Sequence, residues 1–127
     1  MKQLTKVDIE NLFKENNVEL KSTHSKLCLP IINRIYRKMV IEIKFPSIKV
    51  YGDLIIDGHH RYLASLLAAV TLEKDPSNKT SATEITDWNA VVFDDEDWDT
   101  EAKIKMLNEQ DARFNNMSIE EISNHLK

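Results

Sequence analysis

Glycine is scarce in this chain: its 127 residues include two, Gly52 and Gly58. A sequence so sparing with glycine is expected to place it where the backbone must turn or be approached closely. Cysteine is scarcer still. Cys28 stands alone, which excludes an internal disulfide and suits a reducing cytoplasm. No run of 18 or so uninterrupted apolar residues is present, so no membrane span is expected. The opening residues, Met1 to Asp8, put no apolar run behind their charges and do not read as a signal peptide. Repeats and low-complexity tracts are absent. A cytoplasmic, soluble protein is the expectation.

What is present is an ordinary globular balance, 42% hydrophobic and 30% charged residues. A chain of this length fits one domain and buries roughly two-thirds of its unfolded surface, so it needs no disulfide or metal to fold. The net charge of −4 does not favour a surface that grips duplex nucleic acid. Charge is unevenly distributed, however. Lys26, Arg34, Arg37, Lys38, Lys44 and Lys49 face only Glu42 within their stretch, while Asp94 to Glu101 is almost wholly acidic. The basic stretch could receive a phosphate; the acidic one reads as a solvated loop and helix start.

Hydrophobic spacing predicts an α+β domain. Thr5 or Asp8 can cap a first helix carrying Val7, Ile9, Leu12 and Phe13, ended by Asn16-Asn17. Pro30 opens a second, with Ile31, Ile32, Ile35, Tyr36 and Met39 on its apolar side. Alternation over Val40–Phe45 predicts a strand, and Ile48–Tyr51 another. Gly52-Asp53 suits a tight turn into a short strand, Leu54–Ile56. A helix apolar almost all round should follow from His59 to about Leu72, packed centrally. Residues 73–82 read as a polar loop, Trp88–Phe93 as a strand, and Thr100–Arg113 and Ser118–Leu126 as helices. The last begins on a capping-box pattern, Ser118-Ile119-Glu120-Glu121.

The chemistry concentrates at Asp57-Gly58-His59-His60-Arg61. The first amides of a helix lack internal acceptors, and its dipole makes that end partly positive, so an anion binds there readily. Arg61 adds a planar fork suited to phosphate or carboxylate. A structural reading competes: Asp57 caps the helix through the His60 amide, a histidine is hydrogen-bonded in the core, and Arg61 pairs with an acid. Residue types alone leave both open.

The string Ile56-Asp57-Gly58-His59-His60-Arg61-Tyr62-Leu63-Ala64 resembles the phosphate-binding motif of the ParB/sulfiredoxin-like superfamily. It is most similar to the Asp-Gly-His-His-Arg version of free serine kinases and ParB-like nuclease-type domains. The resemblance covers about residues 46–72 and implies a single domain over 1–127, with a core of about 26–95 and C-terminal helices over about 100–126. It implies a small sheet packed around a buried helix with flanking helices. The implied activity is that of a Mg2+-dependent, kinase-like phosphotransferase or nucleoside triphosphatase using ATP, ADP or CTP. Gly58, His59, His60 and Arg61 would bind phosphate. Asp57, His59 and His60 would be catalytic, with Asp57 a general base or magnesium ligand and a histidine near its ordinary pKa an acid or base.

A weaker likeness to a family box near the C-terminus rests on Asn108-Glu109-Gln110 and Arg113, and makes Glu109 a second candidate magnesium ligand. For a free-amino-acid kinase an upstream acid is also expected, and Glu19 is the candidate. Departures narrow the field. Sulfiredoxins have a cysteine where His59 stands, so sulfinic acid reduction is not expected, and the length excludes the DNA-binding and dimerisation domains of partition proteins. A nuclease is one alternative. Another is a catalytically silent module that binds a nucleotide or a protein partner, as in toxin–immunity systems. His24, Cys28, His59, His60 and His125 are potential zinc ligands but lack paired ligand spacing. Trp88 and Trp98 are expected to serve packing more than base stacking.

Overall fold

The computed structural model describes residues 3–16 and 18–126. Met1, Lys2 and Asn17, named above for the N-terminus and the end of the first helix, lie outside the described residues. In chain order the elements are α1 (Lys6–Glu15), β1 (Lys26–Cys28), α2 (Leu29–Val40), β2 (Ile48–Tyr51), β3 (Leu54–Asp57) and α3 (His59–Ala68). They continue with β4 (Lys74–Pro76), a 3-10 turn (Trp88–Ala90), β5 (Val92–Asp94), α4 (Glu101–Phe114) and α5 (Ile119–His125). The fold is α+β, with two small sheets among the described residues. One is the antiparallel pair β2–β3 extended by β4 parallel to β2; the other is the parallel pair β1–β5.

α3 lies at the centre and packs chiefly on α2. Tyr62, Leu63 and Ala64 enter a core that runs from Leu4 and Ile9 of the N-terminal region through Ile32, Ile48 and Ile55 to Val91. α1 therefore belongs to the main core, which reaches beyond the expected residues 26–95. Ala112 of α4 and Ile122 of α5 meet Ile43 in a second, smaller cluster. Among the described residues, no helix is long and apolar enough to cross a membrane.

Several elements follow their sequence signals. Asp8 accepts the Thr5 N–H at the start of α1, and Ser118 and Glu121 satisfy each other's amides at the start of α5. Gly52 takes φ +59° in the β2–β3 turn. Others differ, each for a physical reason. The strand expected over Val40–Phe45 is the end of α2 followed by irregular chain, with Glu42 at φ +70°. Its alternation is real as burial, since Ile43 is inside. Its backbone partner, however, is a side chain: Asn115 accepts the Lys44 N–H at 2.6 Å and donates to the Lys44 carbonyl at 2.9 Å.

α3 stops at Ala68, four residues early, because Ala69 turns left-handed (φ +57°) and the Val70 N–H closes on the Ser65 carbonyl. The strand expected over Trp88–Phe93 begins later, at Val92, because Asp87 accepts the Asn89 N–H and curls the first residues into the 3-10 turn. β4 lies within the expected loop 73–82, and β1 was not anticipated.

Candidate functional site

β3 ends at Asp57, and the chain enters α3 through Gly58 at φ +101°. A Cβ there would lie 2.5 Å from Ile48 Cγ2 and 3.0 Å from a terminal nitrogen of Arg61. Both the backbone angle and the packing thus demand glycine. The Tyr62 N–H bonds the Gly58 carbonyl at 2.8 Å, but the N–H groups of His59, His60 and Arg61 have no acceptor among the described residues. Asp57 does not cap them, which corrects that part of the structural reading; its other two parts, a buried hydrogen-bonded histidine and an Arg61 paired with an acid, are present. Asp57 belongs to β3, Gly58 takes the cap position, and the carboxylate lies 3.8 Å from Arg61 with its side chain 65% exposed.

The two histidines are anchored by distant backbone. His59 is 2% exposed; its Nε2 accepts the Thr23 N–H at 3.0 Å, and its ring stacks on His24 at 4.0 Å. The Thr23 hydroxyl donates to the Ile55 carbonyl, fixing that contact. His60 Nε2 accepts the Cys28 N–H at 3.0 Å, and the Trp98 ring meets His60 edge-on at 5.7 Å. A neutral imidazole with Nε2 accepting carries its proton on Nδ1. In His59 that Nδ1 is buried and has no partner among the described residues.

Burial, then the neighbouring charges of His24 and His60, holds His59 down to about 3. Burial and His24 hold His60 down to about 4, against an opposing pull from Asp99. Neither is near its ordinary pKa, contrary to expectation. At neutral pH they are uncharged, with Nδ1–H to donate.

Arg61 donates to the Ser47 carbonyl at 3.2 Å, while its Nε is buried without a partner. Arg61 also borders a cleft of about 190 Å3 between α2 and α4, with Arg34, Lys38, Phe45, Asp99 and Asn108 among its walls. Arg34 is held by Asp97 and Asp99, the latter at 2.8 Å, and Lys38 by Asp111 at 2.7 Å. No protein-family profile, curated protein or solved structure matches the chain.

Of the sequence candidates, the fold gathers Gly58, His59, His60 and Arg61 in one turn, with Asp57 at its edge. Asn108 joins Arg61 at the cleft; Glu109 and Arg113 do not line it. Glu19 borders a separate cavity of about 280 Å3 beside Tyr62 and Ser65, a turn further along α3. Among the described residues, no three histidine, cysteine or acidic side chains are grouped to hold a metal. Trp88 stacks on Phe13 and donates to the Leu20 carbonyl, a packing role. Roomier openings of about 470 and 630 Å3 flank α1, but no residue of the α3 first turn lines them.

No sequence signal marks Thr23, Asp97 or Asp99 individually, while Arg34 and Trp98 stand out from the sequence only as part of the basic stretch and as a packing aromatic. The usable signal was the opposition of the basic and acidic stretches, which meet through Lys26–Asp94 and Arg34–Asp97/Asp99.

Proposed function

We propose that the first turn of α3 binds the phosphate of a small phosphorylated ligand, and that the chain is a ParB/sulfiredoxin-like domain using a nucleotide for Mg2+-dependent phosphotransfer or hydrolysis. The observation that carries this reading is the set of three consecutive amides, His59 to Arg61, without acceptors at a helix start that has no side-chain cap. Beside them are two buried polar atoms without partners, His59 Nδ1 and Arg61 Nε. Buried donors left unpaired cost free energy, and an anion in contact with them would recover it. Support for the fold assignment is the order hairpin, tight glycine turn, apolar helix.

In this reading the amides and Arg61 fix the phosphate, and the neutral histidines tie the turn to Thr23 and β1. Phosphoryl transfer depends mainly on such positioning and charge neutralisation. Asp57 is the exposed carboxylate at the site and the remaining candidate for a base. Magnesium commonly takes one or two protein carboxylates plus ligand phosphates, which Asp57 fits, and it would supply neutralisation of phosphate charge.

The test is Mg2+-dependent release or transfer of phosphate from ATP, ADP or CTP by wild type and Arg61→Ala. Turnover lost in the variant is expected; no turnover of any nucleotide, with or without small hydroxylated acceptors, contradicts the catalytic part. A binding module without turnover is the second reading, favoured by one observation: both Nε2 atoms already accept backbone N–H groups, so neither histidine offers a free base. Cutting of DNA or RNA, abolished by the same substitution, would instead establish the nuclease.

A further inference from the structure

The acidic segment 95–99 is exposed to water along most of its length but is tied at several points to residues around the site. It has no regular secondary structure, and a handful of side-chain contacts pin it. Asp97 and Asp99 share the guanidinium of Arg34, the Cys28 thiol donates to the Glu96 carbonyl, and the edge of Trp98 rests on His60. Asp94, at the end of β5, accepts the Glu96 N–H and the Trp98 indole N–H and so shapes the segment.

Two carboxylates on one guanidinium leave a surplus negative charge. Arg34, Asp99 and Arg61 border the same cleft. A phosphate arriving at Arg61 therefore meets Asp99 as a like charge and finds the second guanidinium of the cleft already engaged. Arg34 would bind a phosphate in the bidentate manner in which it now binds carboxylate.

We propose that segment 95–99 is an internal anionic strap: Asp97 and Asp99 occupy Arg34, and an anionic ligand at the α3 turn competes with them for that guanidinium. Ligand binding transfers Arg34 from carboxylate to phosphate and lifts Trp98 from His60. This inference rests on the phosphate-binding reading of the same turn. It adds Arg34 as a ligand-binding residue and the strap as its regulator. A purely structural ion pair would behave differently, because its removal would change stability and leave anion affinity alone.

The experiment is calorimetric titration of pyrophosphate into wild type, the double variant Asp97→Asn/Asp99→Asn, and Trp98→Ala, with indole emission followed in parallel. The double variant is expected to bind about tenfold more tightly, within the usual range for coupled contacts. Adding Arg34→Ala to it should remove most of that gain. Wild-type emission should change on binding, and the part of the change due to Trp98 should be missing in Trp98→Ala. Trp98→Ala loosens the strap without altering Arg34 or its acids, and should also bind more tightly. It decides the matter alone if the double variant does not fold. Binding by wild type with equal or weaker affinity in the variants overturns the strap and leaves the phosphate site standing. No binding by wild type or any variant overturns both.

Discussion

Lowering the pH from 7 to 5 should weaken this fold through two side chains. His59 and His60 have folded-state values of about 3 and about 4, whereas an unfolded histidine titrates near 6.5. Below about pH 6.5 the unfolded chain takes up two protons that the folded chain refuses. Stability is therefore full above that value and falls as pH drops towards 4. Each refused proton costs about 1.4 kcal/mol per pH unit, so the pair removes about 4 kcal/mol between pH 7 and 5. That is a large part of the 5–15 kcal/mol typical of a domain.

The two carboxylates with lowered values do not obscure this window. Asp94 and Asp97 are held below their usual range by hydrogen bonds from Trp98 and Arg34, so their contribution is lost only at lower pH. Urea unfolding at pH 7, 6 and 5 reads the effect directly. His60→Gln keeps an acceptor for the Cys28 N–H and should roughly halve the loss, to about 2 kcal/mol. Equal unfolding free energies at pH 7 and 5 would refute the reasoning, because they would mean that the histidines take up protons in the folded state.

Two substitutions test the scaffold. Gly58→Ala places a Cβ 2.5 Å from Ile48 Cγ2 at a left-handed backbone angle. It should cost about 3 kcal/mol in urea unfolding, and a loss below about 0.5 kcal/mol would contradict the tight approach. Lys38→Met strands Asp111 and should cost about 3 kcal/mol, most of it recovered by adding Asp111→Leu. Failure of the double variant to regain stability would show that the pair is not an isolated unit.

The sequence made α1, α2, α5 and the β2–β3 hairpin legible because each rests on local chemistry: a cap, Pro30, a capping box, Gly52. β1 and β5 have three residues apiece and form only by pairing across the chain, which no local pattern announces. Val40–Phe45 misled because Asn115, far along the chain, does the work of a neighbouring strand. The α3 turn stood out through the scarcity of glycine. What sets the histidines' properties did not, since Thr23 and Cys28 lie 36 and 32 residues from their imidazole partners. The clasp on Arg34 spans 63 and 65 residues, and charge opposition between the two stretches was its one trace.

The most direct test of the phosphate site is a thermal-shift titration of wild type and Arg61→Ala with inorganic phosphate, ATP, ADP, CTP and GTP, each with and without Mg2+. A ligand at a hundred times its dissociation constant adds about 2.7 kcal/mol, or roughly 10 °C in Tm for a domain of this size. Such a shift is expected with at least one of these ligands in wild type, together with its loss in Arg61→Ala. No shift with any of them, or an equal shift in the variant, would contradict the phosphate site.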